Sequence, residues 1–295
     1  MKKLYFIFIH ISFLFILSCT HTSKPQQLDL NTIKTRYPVP EGFHRVETEK
    51  GSFQAYLQNF PLKPEGSTPF LFNGEKKEKR LSTSVLDLEI DTLNLQNSAG
   101  SIYRLWADYL YSTSQFDKIH FILPSGFICD YTKWAQGFRI KNEGNHLSWH
   151  KDEDKEDYSY TNFQQFLLKV LEYVDLDSLS KQLYPIPKNQ LTVGTVILEK
   201  GEKGHAVIVM DMIMPNDSLQ LFKGCGVLLA QGGIPAQEIE IIKGYYDELG
   251  LFSQTQNPDS VNYLWSPTRH KAADDKFFTS AFCFEKPQFF TFNFN

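Results

Sequence analysis

Cysteine is scarce in this chain, with 4 in 295 residues. Cys19, Cys129, Cys225 and Cys283 stand far apart and no C-x-x-C pair occurs. That spacing argues against a zinc knot and against a dense disulfide framework. One disulfide among the last three is open to an exported chain, and their spacing favours no pair. Cys225, inside "GCGVLLAQ", reads as a small core hydrophobe. Basic charge is not in excess either. The formal net charge is −4, and no basic stripe interleaved with aromatics is present, which argues against nucleic acid as a partner. No G-x-x-x-x-G-K-[ST] occurs, so "GEKG" and "GG" are turns rather than phosphate cradles. No internal repeat and no cofactor motif is visible. No apolar run reaches the roughly 20 residues that a membrane-spanning helix needs.

The longest apolar run, Leu4 to Leu17, follows two lysines and ends at Ser18-Cys19. A charged start, a short apolar core and a small residue before a cleavage point describe an export signal. "ILSC" also resembles the lipobox of bacterial lipoproteins, with Ile16 in place of leucine. That resemblance implies a lipid on Cys19 and a membrane anchor, with burial of each acyl methylene worth about 0.8 kcal/mol. Thr20, where inner-membrane lipoproteins of enteric type carry Asp, implies the outer membrane. The expected organisation is a signal peptide over 1–18, a lipidated polar tether over 19–36 and one α+β domain over 37–295.

Aromatic content is high at 15%, with 25 Phe and 14 Tyr. "SVLDLEI" alternates apolar and acidic residues, the pattern of a half-exposed strand. In "NSAGSIYRLWADYLY", Ile102, Leu105, Trp106, Tyr109 and Leu110 share one helical face. "KIHFILPSG" predicts a strand and turn, and "DYTKWAQGF" a short helix. "TNFQQFLLKVLEYV" predicts a helix that buries Phe163, Phe166, Leu167, Val170, Leu171 and Val174. "HKDEDKEDYSY" predicts a solvated loop. Then "VGTVILEKG", "GHAVIVMDM", "GVLLAQGG" and "AQEIEIIKG" predict an antiparallel meander. Helices followed by a sheet give an α+β fold, with helices packed on a central antiparallel sheet.

His205 opens the most apolar of these strands, behind Gly204. It is either the hydrogen-bonded polar end of a core strand or a base facing a cleft. Gln231 ends the neighbouring strand and is placed to fix the imidazole tautomer. Ser98 begins the amphipathic helix, one turn before Ile102. As an N-cap it would be among the best residues; as a nucleophile it would sit in the positive field of a helix start. "HLSWH" places His146 and His150 four apart, the spacing of helix-borne metal ligands. The preceding Gly144-Asn145 makes a loop the better reading, and no metal is expected. Tyr245, Tyr246, Trp265 and the terminal "FFTFNF" are either groove-lining or packing aromatics.

The order of a nucleophile opening a helix, a histidine opening a strand and a polar residue on the next strand resembles the papain-like NlpC-type cell-wall peptidases. The motifs "YPVPEGFHRV", "GSFQAYLQNFPLKPEGS", "VLDLEI", "RLWADYLY", "KIHF", "GHAVIVMD" and "LLAQGGIPAQEIEI" resemble the lipoprotein family called domain of unknown function 4846. The first resemblance implies a papain-like arrangement with Ser98, His205 and Gln231 as its site. It also implies cysteine in the slot that Ser98 fills. A thiol ionises readily beside a histidine, whereas a hydroxyl needs a well-aligned base and an oxyanion hole. Two functions follow as expectations. One is an envelope hydrolase or amidase, active or decayed. The other is a non-catalytic lipoprotein that binds a glycan, a peptidoglycan fragment or a protein partner.

Overall fold

The computed structural model describes residues 31–77, 81–144, 146–217, 224–244, 265–267 and 276–292. The expected signal peptide, Cys19, most of the tether and Tyr245-Tyr246 lie outside the described residues.

Six α-helices occur among the described residues: α1 (Ile33–Arg36), α2 (Phe53–Gln58), α3 (Ser98–Ser112), α4 (Tyr131–Ala135), α5 (Tyr160–Leu171) and α6 (Leu176–Gln182). Each begins at a polar cap whose side chain accepts a backbone N–H: Thr32, Ser52, Asn97, Asp130, Ser159 and Asp175 in turn. Such caps satisfy one of the donors that a helix start leaves open. Two early strands, β1 (Phe43–Arg45) and β2 (Ser82–Val85), precede two hairpins. These are β3 (His120–Ile122) with β4 (Ile128–Asp130), and β5 (Phe138–Glu143) with β6 (His146–Lys151). After β7 (Tyr184–Pro185) comes the meander of β8 (Val196–Glu199), β9 (His205–Pro215), β10 (Gly226–Gln231) and β11 (Glu240–Ile242). The short strands β12 (Ser266–Pro267), β13 (Phe277–Phe278), β14 (Cys283–Phe284) and β15 (Gln288–Thr291) complete the described chain.

The main sheet has nine strands in the order β2-β11-β10-β9-β8-β15-β7, with β1 added on β9 and β12 on β10. All its pairings are antiparallel. The fold is thus mixed, with helices on an antiparallel sheet, as the meander pattern predicts. β9 is buried from Ala206 to Ile213, because helices and neighbouring strands cover it. α1, α2 and α3 lie against it, and α5 packs on α3 and α4.

Several expectations need correction. The folded unit begins at Asn31, earlier than Tyr37, because α1 buries Ile33 completely and cannot serve as tether. The strand expected over "SVLDLEI" ends at Val85; beyond it only Leu86 pairs, as a bridge to Leu62. α3 carries the amphipathic pattern but has no solvent-facing side as far as Leu110. Every residue from Ser98 to Leu110 is buried, and its polar positions Arg104 and Asp108 pair with each other at 2.5 Å. "HLSWH" is strand β6, not a loop, with His146 and His150 exposed. Cys129 and Cys283 are free thiols, which decides what their spacing left open. Trp265 and Phe292 are core, at 0% and 2% exposure, so these aromatics pack rather than line a groove.

Candidate functional site

Asn97, not Ser98, caps α3: its Oδ1 accepts from the Gly100 N–H at 2.9 Å. Ser98 is therefore the first helical residue, released from the capping role. It is 6% exposed, and its hydroxyl makes no hydrogen bond within the described residues.

His205 begins β9 and Gln231 ends β10. Their side chains meet, His205 Nε2 to Gln231 Oε1 at 2.9 Å. The amide of Gln231 also donates through Nε2 to Glu240 Oε1 at 3.0 Å. A carboxylate only accepts, so this bond fixes the amide orientation and turns its carbonyl oxygen toward the imidazole. His205 must then carry its proton on Nε2, which leaves Nδ1 as the basic nitrogen. Phe282 and Phe284 flank the ring, with centroids 5.2 and 6.2 Å away.

Glu240 organises this arrangement, and the sequence did not reveal it. It is fully buried. The same Oε1 accepts from Lys77 Nζ at 2.6 Å and from Gln237 Nε2 at 3.1 Å, while Oε2 has no partner. Glu238, the other acid of "AQEIEIIKG", is buried too and pairs with Lys63 at 2.5 Å. Two glutamates in the last strand of a meander look like a wet face. The lysines that hold them come from the distant segment before β2, so no local spacing announces the pairs.

Ser98, His205 and Gln231 line one cavity of about 600 Å³, together with Lys77, Gly232 and Phe282. The three residues singled out from sequence thus share a cavity, although Ser98 and His205 are not hydrogen-bonded. The glycines around them provide space. A Cβ on Gly232 would collide with Ser101 Oγ and Asn97 O, so only glycine lets the exit of β10 lie against the start of α3. A Cβ on Gly204 would meet Glu199 O and Leu176 Cδ1, both at 2.6 Å; close approach, not flexibility, explains this residue. Another groove, of about 590 Å³ beside Trp106 and Tyr109, is lined by no histidine or cysteine. Among the described residues no group of three or more His, Cys, Asp or Glu is placed to hold a metal ion.

Burial lowers the His205 pKa from its ordinary value; the hydrogen bond to Gln231 opposes this and nearby Lys77 adds to it. The ring is therefore neutral at pH 7. For a histidine lowered in this way, the unfolded chain binds the proton more readily. Its contribution to stability is present above the unfolded value of about 6.5 and is lost as pH falls toward the folded pKa. Wild type should lose more unfolding free energy than His205→Gln between pH 7.5 and 5.5. Equal losses in denaturant titrations would show that the ring is not held neutral by burial. Burial also pushes the Cys129 thiol up to about 12, which makes it a poor nucleophile.

No curated protein and no solved structure matches the chain. A family model does match, over residues 33–257, a span that includes Ser98, His205, Gln231 and Glu240. The chain belongs to the family described as domain of unknown function (4846).

Proposed function

We propose that the protein is an exported lipoprotein whose cavity is an acyl-transfer site of papain-like type, weakened by serine in the nucleophile slot. The observation that carries this reading is the shared cavity. A hydroxyl without a hydrogen-bond partner among the described residues lies in the same walls as a neutral histidine with a fixed tautomer. The chain order, with a helix start, then the entrance of β9, then the end of β10, supports the papain-like comparison. In the reaction, Ser98 Oγ bonds to a carbonyl carbon while its proton passes to His205 Nδ1. The proton then leaves with the amine as the carbon–nitrogen bond breaks, and water later releases the acyl group. The backbone N–H groups in the first turn of α3 are suited to the oxyanion.

One observation favours a second reading. Ser98 and His205 are not hydrogen-bonded, and a hydroxyl needs closer alignment than a thiol. On that reading the cavity binds a glycan, a peptidoglycan fragment or a peptide without cleaving it.

The test is acyl capture from p-nitrophenyl acetate, read by intact mass. Ser98→Cys should gain one acetyl group at position 98 at least tenfold faster than wild type, and His205→Ala should abolish that gain. Acetylation at position 98 that is indifferent to His205, or none in either protein, would remove the acyl-transfer reading.

The lipid anchor belongs to the same proposal, supported by "ILSC" and placing the domain at the cell envelope, in the outer membrane. Cys19→Ala should move the protein into the aqueous phase of a detergent partition. Unchanged partition with membranes would rule out a lipid on Cys19.

A further inference from the structure

The cavity does not end at Ser98. A smaller one of about 270 Å³ adjoins it and shares Ser98, Glu202, Gly204 and Ile234. The two therefore form one groove running past the Ser98 hydroxyl. Their charges differ in sign. The larger arm carries Lys76, Lys77 and Lys203, whereas the smaller carries Asp175 and Asp177, and Glu202 stands at the junction.

Some of these charges are committed. Lys77 holds Glu240 at 2.6 Å, Asp177 meets Lys200 at 3.5 Å, and Asp175 caps α6. Others are free to meet a ligand. Lys203 and Glu202 are exposed and make no ion pair among the described residues. Lys76 lies only over the Phe70 ring, at 5.9 Å. Asp177, with 65% of its side chain exposed, has capacity for a second cation. At the junction Ile234 is 85% exposed, an apolar side chain standing free at the mouth of a polar groove. Ser98 at the centre is 6% exposed, lines both cavities and has a hydroxyl without a hydrogen-bond partner among the described residues, an independent sign that a polar ligand group completes this place.

We infer that the groove takes a short zwitterionic peptide, its carboxylate end in the lysine arm, its ammonium end in the aspartate arm and a backbone amide beside Ser98. This rests on the acyl-transfer reading only for the position of the amide. The charge polarity holds for a non-catalytic binder as well. An uncharged glycan would leave both arms unused.

The probe is trialanine in four forms: free, N-acetylated, C-amidated and blocked at both ends. Three residues reach about 10 Å when extended. Binding is measured by calorimetry on Ser98→Ala, so that turnover cannot interfere. Each exposed ion pair is worth up to about a fivefold change in Kd. Blocking either end should weaken binding about three- to fivefold, and blocking both should compound the loss. Lys203→Gln should erase the effect of amidation only, and Asp177→Asn the effect of acetylation only. Raising salt to 0.5 M should narrow all the differences. Equal affinity for the four forms, or no binding at millimolar concentration, overturns the inference. Because Ser98→Ala has no nucleophile, that failure is separate from a failure of acyl capture.

Discussion

Phe166→Ala should lower the unfolding free energy by about 3–5 kcal/mol. Phe166 is fully buried. Its ring lies 5.4 Å from Tyr131, 5.9 Å from Trp134 and 6.2 Å from Phe121, centroid to centroid. These partners come from α4 and β3, so the truncation opens a void where three elements meet. The three remaining rings cannot all shift to fill it, because close-packed interiors relax only partly. The loss is read from denaturant midpoints followed by both fluorescence and circular dichroism. A change below about 1 kcal/mol would mean that this face of α5 is not packed as described.

Glu240→Ala should cost about 2–4 kcal/mol and should also disturb His205. The substitution removes the acceptor of Lys77, Gln231 and Gln237 at once. A buried amide left unpaired costs roughly 1–3 kcal/mol. The loss of the ion pair adds less than a fully buried pair would, because the Lys77 side chain is 26% exposed. Once the Gln231 amide is no longer pinned, it can present either end to the imidazole. The ¹⁵N shifts of His205 should then move from the Nε2–H pattern toward a mixture of tautomers. Glu240→Gln keeps one carbonyl oxygen for the same donors and should preserve the pattern. A purely structural role for Glu240 predicts lost stability with unchanged ring shifts.

Helix α5 and the meander β8 to β11 were legible because their periods are long and uninterrupted; α5 repeats apolar residues every three or four positions, and the strands are bounded by turn residues. The convergence of His205 and Gln231 was legible for the same reason, since adjacent strands of a meander bring their ends together. The environment of α3 was not. Its polar positions Arg104 and Asp108 look like a solvent face, yet they neutralise each other beneath Tyr160, whose hydroxyl donates to Asp108 Oδ1 at 3.0 Å. The Ser98 cap was misplaced by one residue because Asn97 and Ser98 are equally good caps in sequence, and only backbone geometry distinguishes them. Glu240 was hidden because its partner Lys77 lies 163 positions away. A buried charge is betrayed by its partner, and sequence spacing does not encode partners at that range.

The pairing of position 98 with His205 is tested most directly by titrating the thiol of Ser98→Cys. The rate of alkylation by iodoacetamide at position 98 is followed from pH 5 to 10 by peptide mass mapping, which separates it from Cys129, Cys225 and Cys283. A thiol beside the basic Nδ1 of His205 and at the start of α3 should titrate at least one unit below the free value of about 8.5. In the Ser98→Cys, His205→Ala protein it should return toward that value. A titration at about 8.5 or above, unmoved by loss of His205, would contradict the pairing and leave His205 as the polar end of a core strand.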